Sequence, residues 1–218
     1  MMQPRTYGLA PRGAEPHAGF TLFEMLTVLV IMGIIMGIGI PAVTNLMKSS
    51  GLSAATRQVH NALNFARQYA ITQRTNTRVI FPYKGTVGTT GTNLAPWYQS
   101  YAVVAIGSTT NYLSKWEHLP VGTVFMDKNV ALGTPPCLDN LGTASLPFPS
   151  INSGGFATLS YIEFTPTGAA SQAGAFTITE GFMNGSAVTP TSKTSTSLVN
   201  AAVVAVDNVI GRIKVTRP

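Results

Sequence analysis

A chain of 218 residues is long enough to bury a sizeable core in one modest domain and still carry an anchoring segment. Charged side chains make up only 10% and apolar ones 45%, which excludes a disordered chain and, with abundant Gly, Ser and Thr, points to a β-rich globular part joined to something very hydrophobic. The net charge of +6 is spread along the chain, too weak a signal alone for nucleic-acid binding, and the single cysteine, Cys137, excludes an intrachain disulfide.

Residues 1–19 are polar and irregular, broken by Pro4, Pro11, Pro16 and several glycines, and predict no stable helix. The character changes at Phe20. From there to Val43 the sequence FTLFEMLTVLVIMGIIMGIGIPAV holds one ionisable side chain, Glu24. A run of this length matches the roughly 20 apolar residues that cross a bilayer as a helix. An ordinary secretory signal places its cleavage site after the apolar core. Here the plausible processing point, Gly19, precedes it, so a cut there leaves the membrane segment on the mature chain. Arg5 and Arg12 ahead of the run favour a cytoplasmic N-terminus with the remainder outside, an asymmetry that Lys48 weakens without reversing.

Glu24 needs a reason, because a carboxylate at the membrane is costly unless it has a partner or lies near the interface. Cleavage after Gly19 creates a cationic amine on Phe20. In a filament, Glu24 of one subunit pairs with the Phe20 amine of a neighbour, and a mis-registered helix leaves both charges unpaired in an apolar core. The plainer alternative is a carboxylate at headgroup depth.

Gly19-Phe20-Thr21-Leu22-Phe23-Glu24, followed by an apolar helix containing Pro41, resembles the class III signal of type IV pilins and type II secretion pseudopilins, with Phe23 where Ile is commoner. The resemblance implies three things. A membrane-embedded prepilin peptidase cuts between Gly19 and Phe20. The same enzyme N-methylates Phe20. Glu24 guides assembly with other pilins or pseudopilins.

Beyond the membrane segment, Leu52, Ala55, Val59, Ala62, Leu63, Ala66 and Ala70 recur in steps of three and four, while Arg57, Gln58, Asn61, Asn64, Arg67 and Gln68 occupy other faces. This predicts an amphipathic helix whose narrow stripe packs on a sheet, with a bend at Ser49-Ser50-Gly51. A helix from Phe20 to about Thr72 is roughly 80 Å long at about 1.5 Å per residue, natural for a filament core of bundled helices. His60 has no metal-like spacing to His17 or His118 and reads as a solvated helix residue.

After Gln73 the period changes. Residues Thr77–Tyr83, Tyr98–Ile106, Thr158–Thr165, Phe176–Thr179, Leu198–Val206 and Arg212–Thr216 predict strands, rich in β-branched and aromatic residues and bounded by Gly, Pro and Asn. The run Ala201–Val206 predicts burial on both faces, and alternation makes Glu163 solvent-facing. Polar stretches at Gly85–Asn93, Leu132–Gly155 and Asn184–Ser197 read as loops, the central one long enough to conceal further strands. Cys137 reads as an unimportant thiol in the Pro-rich segment Thr134-Pro135-Pro136-Cys137.

Three landmarks narrow the resemblance. Ala62–Ala70 matches the AL-x-x-AR-x-x-A helix segment of GspH/FimT-type minor pseudopilins, Phe164–Gly168 their F-x-P-x-G turn, and Gly211-Arg212-Ile213-Lys214 their end strand. The expected fold is α+β: a long N-terminal helix packed on a C-terminal antiparallel β-sheet domain. The expected division is a leader at 1–19, a membrane-spanning helix at 20–48, an amphipathic helix at 49–76 and a periplasmic β-domain at 77–218. The resemblance implies a single pass through the inner membrane.

No nucleophile motif, zinc spacing, phosphate loop or dinucleotide fingerprint stands out, so neither an enzyme nor a cofactor is expected. The resemblance implies first a minor pseudopilin of a type II secretion system, near the tip of a short periplasmic filament driven by a cytoplasmic ATPase. The alternative is a FimT-like minor pilin of a type IV pilus or DNA-uptake system, in which Arg212, Lys214 and Arg217 meet DNA phosphates. Lys214 stands where that pattern prefers Arg and lacks its bidentate fork, so nucleic acid is the weaker of the two partner expectations, against a plain reading of a solvated strand face. A third reading, an enzyme or adhesin using the helix only as an anchor, leaves the cleavage motif and Glu24 without purpose.

Overall fold

The helix α1, Leu22–Gln73, begins on a capping box. The Thr21 hydroxyl oxygen accepts from the Glu24 amide at 3.2 Å, and the Glu24 carboxylate accepts from the Thr21 amide at 3.4 Å. This is the T-x-x-E arrangement that satisfies two otherwise orphaned amides of a first turn. The helix stops where Arg74 turns left-handed (φ 50°) and the Thr75 amide reaches back to the Ala70 carbonyl at 3.2 Å, the C-terminal closure usually given to glycine.

The computed structural model describes residues 21–83, 97–128, 130, 135–147, 156–185, 187–191, 193–194 and 197–217, with backbone alone for 38–49, 147 and 156. The expected leader, Gly19 and Phe20 lie outside these residues, as do the expected loop Gly85–Asn93 and much of Leu132–Gly155. The chain forms two units, Met1–Thr44 and Asn45–Pro218. In the first, every large apolar side chain from Leu22 to Met36 is exposed. Among the described residues no helix is long and apolar enough to cross a membrane, although the apolar sequence continues into positions whose side chains are not described.

In the second unit the helix buries one stripe. Leu52, Ala55, Val59, Leu63, Ala66 and Ala70 are all nearly inaccessible, with Ala62 packed at the margin. Two antiparallel sheets complete the unit. The strands are β1 Asn76–Phe81, β2 Ser100–Ile106, β3 Thr110–Tyr112, β4 Glu117–His118, β5 Thr123–Phe125, β6 Gly142–Pro147, β7 Phe156–Phe164, β8 Gly174–Asn184, β9 Ala187–Pro190, β10 Ala201–Val206 and β11 Ile213–Thr216, with a 3-10 turn at Leu138–Asn140. One sheet runs β3-β2-β1-β7-β6, with β4 also on β2; the other runs β11-β10-β8-β5, with β9 also on β8.

The helix stripe and both sheets share one apolar core. At its centre Phe81, Phe125 and Phe176 bring the two sheets together with ring centroids 5.1–5.6 Å apart, within the range where tilted and edge-on rings attract. Small alanines on the helix side permit the close approach. A second cluster covers the other face of the first sheet: Ile80, Ala102, Val104, Leu146, Ala157 and Leu159.

That second cluster corrects the expectation for Glu163. Alternation assigns Glu163 to the face of Leu159 and Tyr161, but this face is also covered, and Glu163 is buried. Its carboxylate accepts from Arg78 Nε at 2.7 Å across the β1–β7 register, and the guanidinium lies over the Tyr161 ring at 4.3 Å. A buried carboxylate without such a partner would be strongly destabilising. Cys137 lies in the expected loop, buried at the start of the 3-10 turn, and burial pushes its pKa up, which disfavours the reactive thiolate.

Candidate functional site

Glu24 sits in the first turn of α1. Besides the capping bonds, its carboxylate lies 3.5 Å from the Thr21 hydroxyl. The expected partner of Glu24 is on another subunit; within one chain the carboxylate holds the start of its own helix. Thr21 is therefore a helix-capping residue that the sequence pattern left unassigned. Its signal is Thr21-Leu22-Phe23-Glu24, a capping-box spacing directly before an apolar run.

Arg212, Lys214 and Arg217 are all exposed, and they border two different depressions. Arg212 and Lys214 line a shallow groove with Ala205, Asp207 and Ile210. Asp207 organises the loop from β10 to β11: its carboxylate accepts from the Val209 and Ile210 amides at 2.9 and 3.1 Å, and its amide donates to the Arg212 carbonyl at 3.0 Å. A carboxylate thus stands beside the two cations. Arg217 is elsewhere. It donates to the Ser53 hydroxyl on α1 at 3.0 Å and borders a small cavity with Leu52, Glu180, Val199 and Asn200.

The three sequence landmarks meet at Arg67. Its Nε donates to the Gly168 carbonyl and its Nη2 to the Ile210 carbonyl, each at 2.9 Å. Thr165-Pro166-Thr167-Gly168 is a tight turn closed by the Gly168 amide on the Thr165 carbonyl at 2.8 Å, with Gly168 at φ +82°. Gly211, at φ +63°, lies against it so closely that an added Cβ would collide with the Gly168 carbonyl oxygen. Helix, hairpin turn and final loop are thus latched by one guanidinium, whose planar fork suits two carbonyls at once. The sequence pattern places Arg67 only on a polar face, without this role.

Among the described residues no three His, Cys, Asp or Glu side chains gather closely enough to hold a metal. Burial perturbs several groups of the β-domain. Tyr101 is buried and donates to Glu117 at 2.6 Å; burial first, then this acceptor, raises its pKa. Asp139 is raised by burial and then by the charge of Asp127, against the Lys128 amide that donates to it at 3.4 Å. His60 is half-buried with Nδ1 lacking a partner among the described residues, which departs from a freely solvated histidine.

An apolar N-terminal helix, an amphipathic continuation packed on antiparallel sheets and a capping glutamate in the first turn define an α+β protein of the pilin-like class. The profile of the type II transport protein GspH matches residues 55–197, and that of the prokaryotic N-terminal methylation motif matches residues 16–40. The chain belongs to the GspH family. No match was found among curated protein sequences. Among solved structures, the type IV minor pilin FimU of Pseudomonas aeruginosa is similar at 12% identity, covering 77% of this chain and 92% of that one, with a TM-score of 0.41.

Proposed function

We propose that this chain is a minor pseudopilin of a type II protein secretion system. A prepilin peptidase cuts it between Gly19 and Phe20 and N-methylates Phe20. Residues 20–48 hold it in the inner membrane with the leader cytoplasmic and the β-domain periplasmic. It then joins other pseudopilins in a filament, where Glu24 compensates the Phe20 amine of a neighbour. The observation that carries this reading is the coincidence of the GspH match over 55–197 with the methylation motif over 16–40. A catalytic role is not needed: subunit packing is the function, and force comes from elsewhere.

The test is mass spectrometry of the membrane-extracted chain, expressed with and without a prepilin peptidase. A peptidase-dependent species beginning at N-methylated Phe20 supports the reading. An intact Met1 start in the presence of active peptidase would overturn it. Deleting the gene in its host then separates the systems: loss of protein secretion with intact surface pili supports the pseudopilin assignment.

A second reading, a FimT-like minor pilin that binds DNA, draws on Arg212 and Lys214 lining one groove. The separate placement of Arg217, held at Ser53, and the neighbouring Asp207 carboxylate weigh against it. Loss of DNA uptake with normal secretion in the deletion strain would favour this second reading.

A further inference from the structure

The β-domain has a distinctive pole at the end where α1 enters it. The turn before β5 lies against the helix there: a Cβ added at Gly51 would sit 3.8 Å from the Val121 carbonyl and 3.7 Å from Thr123 Cγ2. Beside it, the Gly181 amide donates to the Gly122 carbonyl at 2.9 Å, which brings the start of the β8–β9 hairpin, and Phe182 with it, to the same end. Val199 borders one cavity with Leu52 and Ser53 of the helix. Lys193 pairs with Leu198, one residue from Val199, and Arg217 is tied to Ser53.

The chemistry of this pole is unusual for a water-facing surface. Val121 is fully exposed, Val199 54% and Phe182 48%. Lys193 and Arg217 are exposed beside them, and neither forms an ion pair among the described residues. Glu180, at the same end, is buried, and its carboxylate accepts from the Asn200 side-chain amide at 3.4 Å. Apolar side chains flanked by Lys193 and Arg217 match the interface of an anionic lipid layer, where apolar groups insert and Lys or Arg meet headgroup phosphates. Chain connectivity places such a layer within reach. Lys48, the end of the expected membrane segment, is three residues from Gly51, a span of at most about 10 Å even fully extended.

We propose that Val121, Phe182, Val199, Lys193 and Arg217 form a membrane-resting face that holds the β-domain on the anionic lipid surface while the subunit awaits assembly. The inference rests on the membrane-anchored reading above. Departure into a filament then requires release of this face, so the surface sets a cost on extraction from the membrane.

The test uses the full-length chain with Cys137→Ala, reconstituted in phosphatidylethanolamine vesicles containing phosphatidylglycerol. Spin labels are placed singly at Val121→Cys, Val199→Cys, Leu29→Cys and, at the opposite end of the domain, Val209→Cys. The readout is collision with an aqueous nickel chelate. Labels at 121 and 199 should be several-fold less accessible than at 209, and Arg217→Glu or replacement of phosphatidylglycerol by phosphatidylcholine should erase the difference. Equal aqueous access at 121, 199 and 209, with 29 sheltered in lipid, overturns the face and leaves the anchor standing. Aqueous access at 29 overturns both. Shielding that follows protein-to-lipid ratio instead of anionic lipid assigns the face to a second copy of the chain and also overturns the proposal.

Discussion

Replacing Gly211 by alanine tests whether the Arg67 latch determines stability. Two glycines offer a matched comparison. Gly185 and Gly211 have nearly the same backbone angle, φ +59° and +63°, but a Cβ at Gly185 meets nothing within 4 Å, whereas one at Gly211 collides with the Gly168 carbonyl oxygen and comes within 3.1 Å of Arg67 Nε. Gly185→Ala therefore incurs only the left-handed strain, about 1 kcal/mol. Gly211→Ala incurs that strain and must also push the Gly168 and Gly211 backbones apart. The neighbouring atom is main chain, not a flexible side-chain end, so relief means displacing the Gly168 turn and weakening both Arg67 hydrogen bonds. Charge-assisted bonds of this kind contribute about 1.5–3 kcal/mol each when buried, and partial exposure of Arg67 lowers that. A total loss of about 3–4 kcal/mol follows for Gly211→Ala, from the strain and bond magnitudes together. At about 2–4 °C per kcal/mol for a domain of this size, Gly185→Ala should lower Tm by a few degrees and Gly211→Ala by roughly 10 °C. The assay is thermal unfolding of the detergent-solubilised full chain, followed by emission of Trp97 and Trp116, both in the β-domain. Arg67→Ala in the Gly211→Ala background should cost less than in the parent, because the bonds are already weakened. Equal Tm shifts for the two alanine variants would refute the latch.

Glu24→Gln keeps an acceptor for the Thr21 amide but removes the charge; it should insert and be processed like the parent, yet fail to enter filaments in a sedimentation assay, and normal assembly would remove the charge-pairing argument. Asp139, whose pKa in the folded chain is raised by burial and by Asp127, binds its proton more tightly folded than unfolded, so the stability it contributes is present at low pH and lost as pH rises through its folded pKa. Asp139→Asn should therefore raise Tm at neutral pH, with the gain vanishing towards pH 3; a gain that does not change with pH would exclude this cause. Glu163→Ala strands Arg78 in its partly buried site and should cost about 2–3 kcal/mol in denaturant unfolding, discounted from the loss for a fully buried pair, with an unchanged midpoint as the contrary result. Cys137, buried and with its pKa raised, should resist a thiol-specific disulfide reagent until the domain unfolds, and rapid labelling of the native chain would contradict its placement.

What is legible in the sequence follows the strength of the local signal. The stripe Leu52 to Ala70 has a helical period over five turns, and those side chains are buried. Long β-branched runs locate β1, β2, β7 and β10. The strands that escape, β3, β4, β5, β6 and β9, are short or lack alternation; β6 is GTASLP, glycine and proline at its two ends, and its strand character comes from pairing with β7 at the sheet edge. The sequence pattern marks β8 only at Phe176–Thr179, but the strand runs Gly174–Asn184. Glu180 and Gly181 interrupt the apolar pattern there, and Gly181 is needed because a Cβ would lie 2.7 Å from the Thr189 carbonyl of β9. Burial of Glu163 is illegible for another reason. Alternation reports which residues share a face, and only tertiary packing determines whether a second layer covers that face.

The dispersed landmarks carry a different lesson. Ala62–Ala70, Phe164–Gly168 and Gly211–Lys214 lie far apart in sequence, and each alone is a weak signal: a helix stripe, a turn, a strand start. Physically they are one object. The helix supplies a guanidinium, the hairpin turn presents a carbonyl by placing Gly168 left-handed, and the last loop presents another while Gly211 keeps its Cβ position empty so that the two turns can touch. Losing any component leaves the others with unpaired groups or a gap at the interface. A signature scattered from Ala62 to Lys214 is therefore what a three-body contact requires. It also explains why the resemblance speaks clearly about fold and weakly about function: Arg212, next to the latch, projects outward into the groove with Lys214, where the latch places no constraint on what it meets.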